Sequence, residues 1–123
     1  MTDSSLLFVY GTLMSGQCRH HHIQNYVDFL GERSVQGTLV HLGAYPGLLL
    51  EGHGRVFGEL YSVVDPDKLW PLLDGVEGSE YERKLVDVGG AMAWTYVLAQ
   101  TGDWPVIASG RWLERLPNAP ERA

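Results

Sequence analysis

Residues 6–13 read Leu-Leu-Phe-Val-Tyr-Gly-Thr-Leu, a short apolar run that ends at the first glycine of the chain. The run predicts a first β-strand over Leu6–Tyr10, because buried strands are short and apolar and glycine marks their ends. After this strand the backbone turns sharply and leaves the N–H groups of Gly11, Thr12 and Leu13 unpaired. Successive unpaired N–H groups form a concave site that binds an anion without a basic side chain. For this segment by itself, an ordinary turn is the favoured interpretation.

The next predicted elements are a helix, two strands and the start of a second helix. A helix is expected over Cys18–Leu30, because apolar residues recur there with helical spacing. Strand-like alternation follows over Ser34–Leu42 and again over Arg55–Val63. Asp65 and Pro66 mark the second helix start, because aspartate is a favoured N-cap and proline at the first helical position loses no hydrogen bond.

The second helix is expected to end at Gly75 and Gly78, and two more strands follow it. Its apolar face consists of Leu69, Leu72, Leu73 and Val76. The strands are Tyr81–Val88 and Met92–Ala99, with Gly89-Gly90 as the hairpin turn between them. About six short strands and two or more flanking helices, not in strict β-α alternation, indicate an α+β fold. The sheet is expected to be mixed or antiparallel and to curl into a small β-barrel.

The composition indicates a single globular domain. Of the 123 residues, 45% are hydrophobic, and one core usually serves ~100–200 residues, so one domain over residues 1–115 is expected. Residues 116–123 contain two prolines and are expected to form a flexible tail. No run approaches the ~18 apolar residues of a membrane helix. The N-terminus lacks the basic segment of a secretory signal, and a single cysteine excludes a disulfide framework, so a cytoplasmic protein is predicted.

The charge excludes one class of partner. Fifteen acidic and nine basic residues give a net charge of −6, and the basic residues form no cluster. Nucleic-acid binding requires a positive stripe, so no nucleic-acid partner is expected. An acidic protein that binds an anionic small molecule must do so locally, through backbone N–H groups.

Three consecutive histidines, His20–His22, raise the possibility of a metal site. Neighbouring positions on a helix point about 100° apart, so the three rings cannot converge on one ion. Zinc-binding helices instead place their histidines at i and i+4, although His41 or His53 could supply a partner from another element. A solvated helix face is the favoured interpretation. Cys18 is interpreted as a small buried apolar residue rather than a nucleophile, because no second signal supports catalysis.

Glu77 is the strongest candidate for acid–base chemistry. It is one of four carboxylates in residues 73–83 and follows Val76 at the end of the amphipathic helix. This position at the rim of the apolar interior desolvates the carboxylate, which raises its pKa toward a value useful for a general base. On this segment alone a solvated helix end is the favoured interpretation, and Glu59 in the strand Arg55–Val63 is the rival base.

Together these segments resemble the gamma-glutamylcyclotransferase-like superfamily. Its members carry a Y-G-[ST]-L turn after the first strand and an L-D-x-x-E-G segment, which match Tyr10–Leu13 and Leu73–Gly78. Supporting segments follow in the family's order: Gly16-Gln17, Tyr45–Leu48, Val56–Tyr61, Tyr81–Arg83 and Ile107–Trp112. Two positions depart from the pattern, because Gly47 stands where alanine is common and Arg111 where an acidic residue is common. Both positions are expected to lie where the protein contacts the variable part of the substrate and so affects specificity.

The resemblance implies an α+β barrel enzyme that requires no metal and no cofactor. Such an enzyme cyclises a gamma-glutamyl amine or peptide to 5-oxoproline and releases the amine. Glu77 matches the glutamate that is the catalytic acid/base in the family. The small-molecule substrate is then expected to contact Gly11, Thr12 and Leu13 through their backbone N–H groups, and Tyr10 and Tyr81 as pocket walls.

Two other functions remain as alternatives. A binding module on the same barrel would hold a small ligand without turnover, and Glu77 would only pair with its ammonium group. A metal-dependent hydrolase built on the histidines would lose activity with a chelator. Incubation with a panel of gamma-glutamyl compounds separates these alternatives from a cyclotransferase.

Overall fold

The computed structural model describes residues 5–100 and 102–114. Within that range the framework is a five-stranded sheet, a separate two-stranded sheet and one α-helix. The strands are β1 (Leu6–Val9), β2 (Val27–Gln36), β3 (Thr38–His41), β4 (Pro46–Leu49), β5 (Arg55–Val63), β6 (Tyr81–Val88) and β7 (Ala91–Leu98). The helix α1 spans Pro66–Glu77, and 3₁₀ turns occupy His20–His22 and Trp112–Glu114. The predicted tail, residues 116–123, lies outside the described residues.

The large sheet has the strand order β2-β5-β1-β7-β6, and β1 is its central strand. β1 pairs antiparallel with β5 and parallel with β7, so the prediction of a mixed sheet is confirmed. Leu7, Phe8 and Val9 are all buried, as expected for a central strand that is covered on both faces. The described edge strands, β2 and β6, do not pair with each other, so the sheet is open and the predicted barrel closure is not observed.

Four of the predicted strands are confirmed with nearly unchanged bounds. β5 and β6 consist of the predicted residues, while β1 ends one residue earlier and β7 is shifted by one. The turn between β6 and β7 contains Gly89 and Gly90, which both have positive φ. Glycine is favoured there because the two-residue hairpin turn that matches the twist of the strands requires this conformation.

The predicted helix over Cys18–Leu30 is wrong. The segment forms a single 3₁₀ turn at His20–His22 and then enters β2 at Val27. Ile23 and Val27 are buried, but Leu30 is 46% exposed, so the apolar residues do not share one buried helical face. β2 pairs along its whole length with β5, and this long-range pairing overrides the local helical spacing.

The predicted strand over Ser34–Leu42 is divided into two strands that belong to different sheets. β2 ends at Gln36, Gly37 adopts φ +156°, and β3 begins at Thr38. A Cβ added at Gly37 would lie 2.7 Å from the carbonyl oxygen of Leu49, so the backbones approach too closely for another residue. Glycine therefore permits the corner between the sheets.

α1 begins at Pro66, as predicted, and ends at Glu77. The side chain of Asp65 makes no capping hydrogen bond, but its carbonyl accepts from the N–H of Leu69 at 3.0 Å. Leu69 and Leu73 are fully buried, and each contributes about 1.5–3 kcal/mol by leaving water. This burial anchors the helix to the core and determines where Glu77 lies. The twelve residues of α1 do not span a bilayer, and no other described helix is long and apolar enough to do so.

Candidate active site

A cavity of about 170 Å³ lies at the carboxyl end of β1. Its wall consists of the turn after β1, the last turn of α1, the first residues of β4 and β6, and the middle of β7. All of the residues predicted for the site lie in this wall: Tyr10, Gly11, Thr12, Leu13, Glu77 and Tyr81. The fold therefore brings together two motifs that are far apart in the sequence.

The turn after β1 uses its carbonyl groups within the protein. The carbonyl of Gly11 accepts from the N–H of Met14 at 3.0 Å, and the carbonyl of Thr12 accepts from the N–H of Arg19 at 2.8 Å. In contrast, the N–H groups of Gly11, Thr12 and Leu13 donate to no acceptor in the described part of the chain. Three neighbouring unpaired donors in a cavity wall are suited to bind a carboxylate.

Glu77, the last residue of α1, is half-buried in the wall of the same cavity. Burial raises the pKa of Glu77 from 4.5 to about 7, because the ionised form loses hydration, and the nearby charge of Arg19 opposes this rise. A carboxyl group with this pKa is present in both protonation forms near neutral pH, so it can accept a proton and return it. The surroundings of Glu77 are therefore those of a desolvated carboxylate, and its catalytic role is still a prediction.

Three tyrosines form the deep wall of the cavity. The hydroxyl of Tyr10 donates to the carbonyl of Tyr96 at 2.6 Å and accepts from the N–H of Leu48 at 3.2 Å. The hydroxyl of Tyr81 donates to the carbonyl of Pro46 at 2.7 Å. Burial is the main cause that raises the pKa of Tyr10, Tyr81 and Tyr96. These phenols are neutral at physiological pH, and the protons of Tyr10 and Tyr81 hold main-chain carbonyl groups in place.

The end of α1 is also tied to the sheet by Asp74, one turn before Glu77. The hydroxyl of Tyr96 donates to Oδ1 of Asp74 at 2.7 Å, and Arg83 lies 3.5 Å from Oδ2 of the same carboxylate. The guanidinium of Arg83 also lies over the rings of two tryptophans, which limits its movement. This network joins α1, β6 and β7, and so restrains the position of Glu77.

The mouth of the cavity contains three side chains that sequence reasoning missed, namely Arg19, Tyr45 and Glu80. The hydroxyl of Tyr45 donates to Oε1 of exposed Glu80 at 3.0 Å. The guanidinium carbon of Arg19 lies 5.6 Å from the centre of the Tyr45 ring. No sequence pattern marked Arg19 as a site residue, because its segment was interpreted as a helix. Tyr45 belongs to the segment Tyr45–Leu48, which the family resemblance already includes.

Glu59, the rival base, does not line this cavity. Its carboxylate accepts from the N–H of Ser15 at 2.7 Å, from the hydroxyl of Ser15 at 2.6 Å and from the hydroxyl of Tyr61 at 2.8 Å. It faces a separate groove on the other side of the turn. The geometry therefore gives Glu59 a structural role, which is to hold the far end of the turn that begins at Gly11.

The histidines and the cysteine do not form a site. His20 Nδ1 lies 2.9 Å from the carbonyl oxygen of Leu13, and His21 Nδ1 lies 3.1 Å from that of Cys18. No three histidine, cysteine, aspartate or glutamate side chains in residues 5–100 and 102–114 are arranged to hold a metal ion. Cys18 is exposed, so its interpretation as a buried apolar residue is wrong.

Gly47 and Arg111, the two departures from the family pattern, are not among the residues that line this cavity, and their influence on substrate choice stays a prediction. A Cβ added at Gly47 would overlap the side chain of Leu98, which explains the glycine by packing. The guanidinium of Arg111 lies 4.0 Å from the centre of the Phe57 ring, and it lines the same groove as Glu59.

The α+β fold places one half-buried carboxyl group and one turn with unpaired N–H groups in the wall of the same cavity. The family model for the gamma-glutamyl cyclotransferase, AIG2-like, family matches residues 7–114. The chain belongs to this family.

Individual relatives agree with this assignment. The chain is 36% identical over 113 residues to the gamma-glutamylcyclotransferase family protein YtfP of Escherichia coli strain K12, which covers 89% of this chain and 96% of YtfP. It is 37% identical over 102 residues to the gamma-L-glutamyl-butirosin B gamma-glutamyl cyclotransferase of Niallia circulans, covering 74% of this chain and 65% of that protein. The crystal structure of an uncharacterised protein from Pyrococcus horikoshii aligns with a TM-score of 0.78 at 25% identity, covering 90% and 92% of the two chains.

Proposed function

We propose that this protein is an enzyme that cyclises a gamma-glutamyl amine or peptide to 5-oxoproline and releases the amine, with Glu77 as the single general acid/base. The observation that carries the proposal is the pKa of Glu77, which burial raises to about 7 in a cavity shared with the turn Gly11–Leu13. The name of the Niallia circulans relative assigns that protein a gamma-glutamyl compound. We propose that this chain also acts on a gamma-glutamyl compound, but not that the compound contains butirosin.

The turn supports binding of the constant part of such a substrate. Every gamma-glutamyl compound carries an α-carboxylate, and the N–H groups of Gly11, Thr12 and Leu13 have no acceptor among the described residues. Backbone N–H donors can hold a carboxylate where no lysine side chain is present. The carboxylate held at the turn leaves the α-amine and the γ-carbonyl group within the cavity, on the side of Glu77.

The proposed reaction forms one bond and breaks one bond. The ionised carboxylate of Glu77 accepts a proton from the α-ammonium group, and the freed amine attacks the γ-carbonyl carbon of the same molecule. The new C–N bond closes the five-membered ring. As the bond from the γ-carbon to the leaving nitrogen breaks, protonated Glu77 gives its proton to that nitrogen. The ring nitrogen still carries one proton too many after this step. Ionised Glu77 accepts that second proton and passes it to the released amine, so Glu77 returns to its starting form and the products are 5-oxoproline and the amine as its ammonium ion.

The physical demands of this reaction are modest. The nucleophile and the carbonyl belong to one molecule, so holding the bent conformer supplies a high effective molarity. Proton transfer by a positioned carboxyl group contributes about 10²–10⁴-fold. The tyrosine wall supports the first effect, because Tyr10 and Tyr81 are held by hydrogen bonds to main-chain atoms and do not rearrange as the ring closes.

The test is Glu77→Gln, which keeps the shape of the side chain and removes the base. We expect kcat for release of 5-oxoproline to fall by about 10²–10⁴-fold, measured by mass detection of the product from a panel of gamma-glutamyl compounds. Glu82→Gln is the matched control, because Glu82 is exposed in the same segment and pairs with Lys84 outside the cavity. Circular dichroism verifies that each variant is folded.

Three outcomes would contradict the proposal. A folded Glu77→Gln variant with the wild-type rate would remove the assigned role. Loss of activity in Glu59→Gln, together with an active Glu77→Gln variant, would transfer the role to Glu59. Stoichiometric binding of gamma-glutamyl compounds to the wild-type protein without any 5-oxoproline would establish the binding module in place of the enzyme.

A further inference from the structure

Arg19 is the one cationic side chain among the described residues that line the cavity. Its backbone N–H donates to the carbonyl of Thr12 at 2.8 Å, which holds it beside the turn. Its guanidinium carbon lies 5.6 Å from the centre of the Tyr45 ring, an arrangement that favours a fixed cation at the mouth of the cavity.

The guanidinium of Arg19 has no ion pair within 4.0 Å among the described residues, and its side chain makes no hydrogen bond there. The exposed carboxylate of Glu80 at the mouth accepts a hydrogen bond from the hydroxyl of Tyr45. In a chain with fifteen acidic and nine basic residues, an arginine with all its donors available at a cavity mouth is suited to an external anion. Arginine and a carboxylate form strong, charge-assisted hydrogen bonds.

The position of Arg19 relative to Glu77 decides which part of a substrate it meets. The wall around Tyr10, Thr95 and Tyr96 is buried, whereas Glu80 is exposed and Tyr45 half-buried. The scissile γ-amide must lie near the carboxyl of Glu77, with the constant gamma-glutamyl part held by the turn. The departing amine therefore extends outward from the γ-carbonyl group, past the mouth where Arg19 lies.

We propose that Arg19 is a specificity-determining residue that binds a carboxylate on the departing amine, so that the substrates are gamma-glutamyl amino acids and peptides rather than gamma-glutamyl amines without an acid group. This inference rests on the proposed function, and it adds the chemical class of the leaving part. It assigns the two carboxylates of such a substrate to different sites, the α-carboxylate to the turn and the departing carboxylate to Arg19.

The experiment compares gamma-glutamylglycine with gamma-glutamylglycinamide, which differ only by a carboxylate and its neutral amide. We expect the wild-type kcat/KM to be roughly tenfold higher for the acid, in line with one charge-assisted hydrogen bond. In Arg19→Gln this ratio falls to about one, mainly through KM for the acid, and Arg19→Lys retains an intermediate ratio. The ratio is the readout because Arg19 also affects the protonation of Glu77, and that effect is common to both substrates.

Arg33→Gln is the control, because Arg33 is exposed outside the cavity and donates to the carbonyl of Glu32. Its ratio is expected to equal that of the wild type. Equal kcat/KM for the two substrates in the wild-type protein overturns the role of Arg19 and leaves the cyclotransferase in place. An equal loss on both substrates in Arg19→Gln also overturns it, because Arg19 then serves the constant part. If the wild type cyclises neither compound nor any other member of the gamma-glutamyl panel, both proposals fail.

Discussion

Replacing Glu77 by glutamine is expected to stabilise the protein at alkaline pH while it removes the proposed activity. Burial raises the pKa of Glu77 from 4.5 to about 7, and one pKa unit corresponds to about 1.4 kcal/mol. Ionised Glu77 therefore reduces the free energy of unfolding by about 3 kcal/mol relative to the protonated form. Glutamine has no ionised form, so the variant does not experience this loss.

The direction of the pH dependence follows from the two pKa values. Below pH 4.5 the carboxyl group is protonated in both the folded and the unfolded chain, and its contribution to stability is fully present. Between pH 4.5 and about 7 only the unfolded chain releases the proton, so each rise in pH favours unfolding. Above pH 7 both states are ionised, and the loss of about 3 kcal/mol is complete.

The assay is urea unfolding of the wild type and Glu77→Gln at several pH values from 4 to about 9, a range that spans both pKa values. The other titrating groups are common to both proteins, so they cancel in the difference between the two unfolding free energies. We expect this difference to change in favour of the variant as the pH rises from 4.5 to about 7 and then to stay constant. A difference that is independent of pH would refute the desolvation of Glu77. The wild-type kcat should rise as the pH passes through about 7, because the proposed step that removes a proton from the substrate requires ionised Glu77.

Two further substitutions test how the site is held together. Gly11→Ala would place a Cβ 2.5 Å from Cγ of Pro46. We therefore expect the free energy of unfolding, measured with urea, to fall by about 1–3 kcal/mol, and KM, measured by steady-state kinetics, to rise. Unchanged values would show that the turn has room to move. Tyr96→Phe removes the hydroxyl that donates to Asp74, so we expect the free energy of unfolding to fall by about 1 kcal/mol. We also expect a lower kcat with little change in KM, because the end of α1 that carries Glu77 is then less firmly held. A wild-type kcat in Tyr96→Phe would show that the burial of α1 alone positions Glu77.

The sequence was most informative where local rules and tertiary contacts agree. The apolar run before Gly11, the Asp65-Pro66 helix start and the alternation of β5 predicted elements that the structure contains. The same reasoning failed at Cys18–Leu30, since pairing with β5 turned a segment with helical spacing into a strand. It also failed at Gly37, where only the close approach of Leu49 explains why one predicted strand becomes two.

The candidate site was likewise predictable from the sequence only in part. Motifs marked the residues of the turn and Glu77, and the structure brings them into one cavity. Sequence patterns left Glu59 and Glu77 as rival bases, because both are glutamates near apolar residues. The difference between them depends on long-range partners, since Ser15 and Tyr61 occupy the oxygens of Glu59. Arg19 has no local signature, because its importance comes from a cavity whose other walls are distant in the sequence.

The position of Glu77 at the end of α1 supports the proposal that one carboxyl group performs both proton transfers. The C-terminus of a helix carries a partial negative charge, which disfavours a carboxylate and acts in the same direction as burial. Arg19 opposes the effect of burial without forming an ion pair within 4.0 Å among the described residues. A close pair would lower the pKa of Glu77 toward its ordinary range and reduce the protonated fraction at neutral pH. A carboxyl group with a pKa of 4.5 would be ionised at pH 7 and would protonate the departing nitrogen poorly. Under the two proposals, Arg19 must lie near enough to the cavity to bind the departing carboxylate and far enough from Glu77 to leave this carboxyl group able to hold a proton.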